Sequence, residues 1–479
     1  MPDTALATAQ AGGLAAIRTH LGPAGFIDDP QEMEPYSRSW RDDFVGRVPL
    51  VARPSSTEDV AETVRICAET GISIVPQGGN TGLTGAGQPH DDGSEIVLSL
   101  SRMNKIRNID ALNDTMTVEA GCVLQSIQEK ADKVDRLFPL SLAAEGSCQI
   151  GGNLSTNAGG IQVLRYGNAK SLVLGLEVVL PDGRVWNGLR GLRKDNAGYD
   201  LKQLFLGTEG TLGIITAAVL KLFPKPSDHA TALVGLADPA AALELLARAK
   251  ATFGEAVTSF ELLQRFAIEL AIEYVDQFSD PLADKCPWYV LMELTGQSKP
   301  GHLTAQLEQF LADALEAGLV SDGTIAQSDA QSNELWGMRE GLAEAQNHIG
   351  VSLKHDISVP VSAIPAFLER AQAALLEAYP TIRLLAFGHA GDGNLHYNPA
   401  QPLDWDADAF RAEREPINRI VHDIVISLGG SISAEHGIGR LRKSELAHYA
   451  DPVSMDLMRT IKRAIDPDNR LNPGKVFEV

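Results

Sequence analysis

No run of the sequence approaches the eighteen or so consecutive apolar residues that a membrane-crossing helix needs, so nothing in it is expected to span a bilayer. Cysteine is scarce. Cys67, Cys122, Cys148 and Cys286 stand apart with no C-x-x-C pair, which excludes an iron–sulfur cluster or zinc ribbon and points to buried, reduced thiols. Positive charge is also short: 41 basic side chains face 62 acidic ones, and the net charge of −21 excludes nucleic acid as a partner. The opening MPDTALATAQAGGLAAIRTHLG has Arg18 as its one arginine or lysine and no basic region ahead of an apolar core. Neither export nor organelle import is expected from it, and the expected address is cytoplasmic. Basic amphipathic helices are missing too, which argues against a peripheral membrane form. Internal repeats and low-complexity segments are likewise lacking.

What is present reads as a globular chain, with 44% hydrophobic and 22% charged residues. At 479 residues it is too long for one core, so two or three domains are expected. Residues 48–57 read as a strand that leaves through a proline into a helix start, with Ser55 and Glu58 spaced as a capping box. The helix DVAETVRICAETG stops at Gly71 and ISIVP follows as a strand. Up to about residue 222, β-rich runs alternate with glycine loops; beyond FPKPSDHA (223–230), long helical patterns interleave with strands such as WYVLMELTG and IRLLAFGHAG. The end of the chain reads as one amphipathic helix and a proline-containing tail. The fold class is therefore α+β, divided as 1–225, 226–440 and a C-terminal helical segment, 441–479, that returns to the first domain.

In PQGGNTGLTGAGQP, Gly78, Gly79, Gly82, Gly85 and Gly87 fall within ten residues, freeing the backbone to turn successive N–H groups on an anion. A Rossmann site is excluded because loop and strand follow instead of a helix, and a phosphate loop of the Walker type because G-K-[ST] is missing. Two further loops, EGSCQIGGNLSTNAGG (145–160) and LGTEGTLGIIT (206–216), add glycines and hydroxyls. Three such loops in one domain suit a long, multiply hydrogen-bonded ligand such as a dinucleotide. His90, just past the first loop, reads as an exposed loop histidine.

In FGHAGDGNLHYN, His389 and His396 flank a glycine–aspartate turn that reads as a hairpin, which brings their imidazoles together across paired strands. SAEHGIG supplies a carboxylate, Glu435, immediately before His436. Two histidines and one carboxylate leave coordination positions open, as a catalytic metal requires. Any anionic ligand of so acidic a protein needs local cations, and Arg339 in ELWGMREGL and Lys354 in SLKHDISVP are the candidates.

These segments, taken in order over nearly the whole chain, are similar to the vanillyl-alcohol oxidase superfamily and most like its D-2-hydroxyglutarate and D-lactate dehydrogenase branch. The resemblance implies a two-subdomain, PCMH-type FAD-binding domain followed by an α+β substrate-binding cap, with FAD held non-covalently. It implies flavin contacts from Pro76, Gly78, Gly79, Asn80, Thr81, Gly82 and Leu83 on the first loop. From the later loops and the tail it implies Ser147, Gly151, Gly152, Asn157, Gly160, Gly210, Ile215 and Asn472. The G-H-x-G-D-G-N-L-H and E-H-G-x-G patterns are matched fully, implying His389, His396 and Glu435 as ligands of a divalent metal, zinc first, with Mn²⁺ or Co²⁺ as alternatives. His436 is then the free base, taking the hydroxyl proton of a 2-hydroxy acid while flavin N5 takes the hydride. Arg339, Lys354 and Asn398 match positions that bind substrate carboxylate in the 2-hydroxyglutarate enzymes.

One position departs from that pattern: where animal members place a threonine four residues after the arginine, this chain has Ala343. The expected activity is a FAD-dependent dehydrogenase taking D-2-hydroxyglutarate to 2-oxoglutarate, with D-lactate, D-malate or an O₂-using oxidase as alternatives. From a different class, a non-catalytic FAD or metal carrier would have no need of His436. The expected partners are the hydroxy acid, an electron acceptor such as electron-transfer flavoprotein or a quinone, and a second copy of the chain.

Overall fold

The structure is a computed structural model that describes residues 2–40, 43–275 and 278–479. The first part of the chain builds two sheets. One has the order Phe26–Ile27, Val51–Ala52, Glu95–Ser99, Ser73–Gln77. Glu95–Ser99 runs parallel to both its neighbours. Parallel neighbours need a crossover, and the helix Thr57–Thr70 supplies it. Its cap forms one residue later than expected: Ser56 accepts from the Asp59 backbone N–H, while the Ser55 hydroxyl donates to the Asp59 carboxylate. Gly71, at φ 74°, ends the helix in the left-handed conformation that glycine adopts without strain.

The second sheet has five strands, in the order Ile106–Asp110, Thr115–Glu119, Ile214–Lys221, Val173–Val179, Val185–Gly188. One core joins the two sheets, taking Ile74, Ile96 and Leu98 from the first and Met116, Val178 and Leu220 from the second. Cys67, Cys122, Cys148 and Cys286 are all buried and free, as expected.

The remainder is organised by a seven-stranded antiparallel sheet. Its order is Asp322–Ile325, Asp228–Leu236, Trp288–Gly296, Val257–Gln264, Arg383–His389, Asn394–Ala400, His355–Ser358. Successive side chains of a strand point to opposite faces. Accordingly Val234, Phe260, Leu262 and Met292 pack with Leu245, Leu307 and Phe367 from the helices Pro239–Phe253, His302–Glu316 and Ile364–Ala378. Leu233, Leu263 and Leu291 pack instead with Ile268 and Met338, from Arg265–Tyr274 and Asp329–Ala345. With both faces covered, a charged side chain in the middle of this sheet must find a partner inside it.

The C-terminal segment carries two helices, Lys443–Tyr449 and Pro452–Ile465, the second being the amphipathic helix expected over VSMDLMRTIKRAI. The break falls where Asp451 and Pro452 start a new helix, the Asp451 carboxylate accepting from Ser454 N–H. The tail then lies along the first sheet, with Ile74 N–H donating to Arg470 O and Asn472 N–H to Ile74 O.

Candidate active site

The strand Ser73–Gln77 delivers the chain into the first glycine loop. The need for glycine at Gly79 is one of space: a Cβ there would stand 2.1 Å from the Ser147 carbonyl oxygen, so only a bare backbone lets the two loops meet. At Gly82 and Gly152 a Cβ would meet nothing within 4 Å, because both face a groove. That groove is lined by Pro76, Gly78, Gly79, Asn80, Thr81, Gly82, Gly151, Gly152, Gly210 and Ile215 of the expected set. Gln149, Asn153 and Glu209, which carry no local sequence signal, line it as well.

The groove's lining, glycines with unpartnered polar groups, suits a multiply hydrogen-bonded ligand. Gln149 Oε1 and Asn153 Oδ1 are buried on it without a hydrogen-bond partner, as acceptors awaiting a ligand's donors would be. Asn80 and Glu209 hold positive φ values of 56° and 53° on its wall, strain of the kind that collects at ligand sites. Burial lifts the Glu209 carboxyl to about 7, even though it accepts from the Ile438 and Gly439 N–H groups.

Three expected residues line neither this groove nor the adjoining cavity. Ser147 offers its carbonyl to the close approach at Gly79; Asn157 accepts from Lys170 N–H; Asn472 donates to the Ala86 and Glu209 carbonyls, bracing the wall from behind. His90, expected to be exposed, is half-buried, because the buried Glu95 accepts from its backbone N–H and holds its ring at 3.0 Å.

The groove opens into a second cavity of about 270 Å³ through shared walls at Thr81, Gly82, Asn153 and Thr156. Here Leu83 and Gly160 meet Arg339, Lys354, Asn398, His389, His396, Glu435 and His436. A larger void of about 940 Å³ lies between Lys170 and Lys221 and shares no lining residue with either.

Register assembles the cluster. Arg383–His389 and Asn394–Ala400 form the expected hairpin, placing the His389 and His396 rings 5.6 Å apart. Glu261 lies directly across from His389 in the pairing of Val257–Gln264 with Arg383–His389, and Asp356 directly across from His396. Glu261 accepts from Arg339 Nε at 2.7 Å and lies 2.5 Å from His389 Nδ1. Asp356 Oδ2 accepts from the backbone N–H groups of Glu435 and His436, and its Oδ1 accepts from Asn394.

Those contacts set up the centre. Nε2 of His389, His396 and His436 stand 3.8, 3.7 and 3.8 Å from one atom, Glu435 Oε1. The second Glu435 oxygen accepts from Gly160 N–H, which ties the loop at 435–436 to the second glycine loop. Ligand atoms of Asp356, His396, Glu435 and His436 also fall within 4.8 Å of one another. Asp356 is already engaged by three N–H donors, and His436 Nδ1 faces it at 3.5 Å.

Of the expected ligands, His396 and Glu435 belong to the group whose ligand atoms lie within 4.8 Å of one another among the described residues, while His389 stands beside that group with Nε2 3.8 Å from Glu435 Oε1, so the three could hold a divalent ion. Contact with Glu261 occupies His389 Nδ1 and turns Nε2 inward, the carboxylate–histidine arrangement of metal sites. Burial favours neutral His396 and lowers it to about 3, leaving a lone pair for a ligand bond. Burial opposes charge on His389 as well, but Glu261 and then Glu435 override it and lift that imidazole to about 10. Both carboxylates, despite burial, are held near 2 by their cationic neighbours. Negative charge gathered round His389 Nε2 in this way attracts a proton or, equally, a metal cation.

Arg339 is buried with its guanidinium 4.9 Å over the Phe387 ring, its Nε given to Glu261. Asn398 donates to Gln346 Oε1 and accepts from His355 N–H. Glu261, Asp356 and Gln346 are the functional residues that the sequence motifs missed. The signal for the first was a lone acid in the otherwise apolar strand VTSFELLQ, where a charge has to be paired.

A glycine-lined groove that opens on imidazoles and paired carboxylates suits an enzyme that uses a dinucleotide cofactor. Residues 48–188 match the FAD binding domain family and residues 225–476 the C-terminal domain of FAD linked oxidases. The chain belongs to the FAD-linked oxidases, in the branch that holds the D-2-hydroxyglutarate dehydrogenases, and is a FAD-dependent dehydrogenase.

It is 40% identical over 464 residues to a probable mitochondrial D-2-hydroxyglutarate dehydrogenase of Oryza sativa subsp. japonica, covering 96% of this chain and 81% of that protein. Identity to the mitochondrial D-2-hydroxyglutarate dehydrogenase of Bos taurus is 39%, covering 97% and 83%. The fold is that of p-cresol methylhydroxylase, with a TM-score of 0.75 at 17% identity, over 98% of this chain and 97% of that one. Both relatives' names place them in mitochondria, whereas a cytoplasmic address was expected here. Among the described residues no helix is long and apolar enough to cross a membrane.

Proposed function

We propose that the chain oxidises D-2-hydroxyglutarate to 2-oxoglutarate. The observation that carries this reading is the convergence of three imidazole Nε2 atoms on Glu435 Oε1, in a cavity that also holds Arg339, Lys354 and Asn398 and opens onto the dinucleotide groove.

Lys354, Asn398 and the end of Arg339 beyond Nε bind the substrate's carboxylates and set which face of C2 is turned to the groove. His436 receives the hydroxyl proton at Nε2, because Asp356 faces Nδ1 and stabilises the imidazolium that forms. FAD, when bound, supplies the acceptor for the hydride leaving C2. A divalent ion held by His389, His396 and Glu435, zinc first, supplies Lewis acidity that lowers the hydroxyl pKa. Leu142, Ile161 and Phe387 close the cavity with apolar surface and keep water from the reacting carbon. Electrons then pass to a carrier such as electron-transfer flavoprotein or a quinone.

Ala343 favours a second reading. It lines the cavity where a threonine hydroxyl would reach a second carboxylate, and a smaller substrate such as D-lactate or D-malate would not need that contact. Anaerobic mixing of the FAD-loaded protein with D-2-hydroxyglutarate, D-malate, D-lactate and L-2-hydroxyglutarate separates the readings. Fastest flavin bleaching by D-2-hydroxyglutarate is expected, preference for a shorter D-acid selects the second reading, and bleaching by the L-acid alone or by none overturns both.

A further inference from the structure

A cavity of about 660 Å³ adjoins the substrate cavity and shares Leu83, Gln346, Lys354 and His436 with it. From those shared walls it runs out to Arg411 and Arg414, which are exposed at the ends of two short-spaced helices, Ala407–Ala412 and Arg414–Ser427. Its lining inverts the charge of the protein. Lys354, Arg411, Arg414 and Arg442 line it together with a single carboxylate among the described lining residues, Asp43, on a chain in which acids outnumber bases 62 to 41. Asp408 meets Arg411 at 2.5 Å, and Asp356 stands 3.8 Å from the buried Arg442. No carboxylate pairs with Arg414 among the described residues.

We infer that this cavity is the route by which substrate reaches His436, and that Arg414 with Arg411 forms an anion-binding subsite at its mouth. The subsite collects the small carboxylate anion before Lys354 and the inner cavity take it. The inference rests on the reading that the substrate is a 2-hydroxy acid anion. A net charge of −21 repels such an anion at long range, but at physiological salt that field fades within about 8 Å. Within that distance the charges at the opening decide the encounter, and a cleft of one sign focuses the field and raises the association rate by roughly 10- to 1,000-fold. Arginine suits a transient hold, since its planar fork grips a carboxylate without requiring burial.

The test is single-turnover flavin bleaching in the full-length, FAD-loaded protein, which needs no external acceptor. Arg414 is the first residue of its helix, where glutamate is well tolerated because it complements the helix dipole, so Arg414→Glu is expected to fold. At low ionic strength its second-order bleaching rate should fall roughly ten-fold, with the limiting rate at saturating substrate within about two-fold of the parent. Arg414→Gln should fall in between, and added salt should narrow the gap. The control is Arg193→Glu, in the separate void that shares no wall with the site, which should keep the parent rate. A parental second-order rate in Arg414→Glu, or an equal fall in Arg193→Glu, overturns the inference. If the parent is bleached by no 2-hydroxy acid, the functional reading has failed instead.

Discussion

Asp356 and His436 face one another with Oδ2 3.5 Å from Nδ1, and the same carboxylate oxygen accepts the backbone N–H groups of residues 435 and 436. One acid therefore fixes both the ring and the loop that carries it. Burial alone would raise Asp356, but His436 and Arg442 hold it far below the ordinary carboxylate range. Asp356→Asn keeps the shape and loses the charge that steadies a protonated ring. A fall in kcat of roughly 10²- to 10⁴-fold with FAD retained is expected, by analogy with other acid-oriented histidine bases. Unchanged kcat in stopped-flow turnover would exclude the orienting role.

Glu261 serves two masters, His389 and Arg339, from the middle of a fully covered sheet. Glu261→Gln should weaken metal retention by roughly 10- to 100-fold, as changes behind a metal ligand do. Metal content after dialysis against a graded chelator reads this directly. Retention equal to the parent would show that His389 holds its orientation without Glu261.

The glycines divide into two kinds. Gly82→Val should leave the melting temperature of the flavin-free protein within a degree or two but abolish yellow colour, because the new side chain enters the groove. Gly79→Ala should instead cost at least 1–3 kcal/mol of stability, the typical range for overpacking, because its methyl overlaps the Ser147 carbonyl. Absorbance and thermal melts check both, and a yellow Gly82→Val protein would place the cofactor elsewhere.

Much of this site was legible because its motifs are local. His389 and His396 flank one turn, Glu435 and His436 are neighbours, and the first glycine loop spans ten residues. Glu261 and Asp356 were not legible, since a single acid acquires meaning only when strand pairing sets it opposite a histidine over a hundred residues away, as with Glu261 and His389. The second glycine loop hid a short helix, Ile150–Ser155, because glycine-rich composition reads as loop while tertiary packing of Ile150 and Leu154 overrides propensity. The last helix was legible from its amphipathic pattern, and it starts at Pro452 behind the Asp451 cap.

Glu209 gives a pH signature. Its folded-state carboxyl, raised by burial to about 7, keeps a proton between pH 4.5 and 7 that the unfolded chain releases. The folded state then binds more protons than the unfolded one, so this group's contribution to stability falls as pH rises through that window, by at most about 3 kcal/mol. Glu209→Gln removes the titration. In the FAD-loaded protein it should melt above the parent at pH 8 and close to it at pH 5; a constant difference between the two across that range would refute the assignment.

The tail that pairs with Ile74 has a bearing on when the glycine wall is complete. Asn472 is what ties the Ala86 and Glu209 carbonyls together behind the glycine wall. It leaves the ribosome some 390 residues after Gly82, a delay on the order of half a minute at ordinary elongation speed. Until it arrives, the glycine wall lacks this brace, and the Ala86 and Glu209 carbonyls have no Asn472 amide to join them.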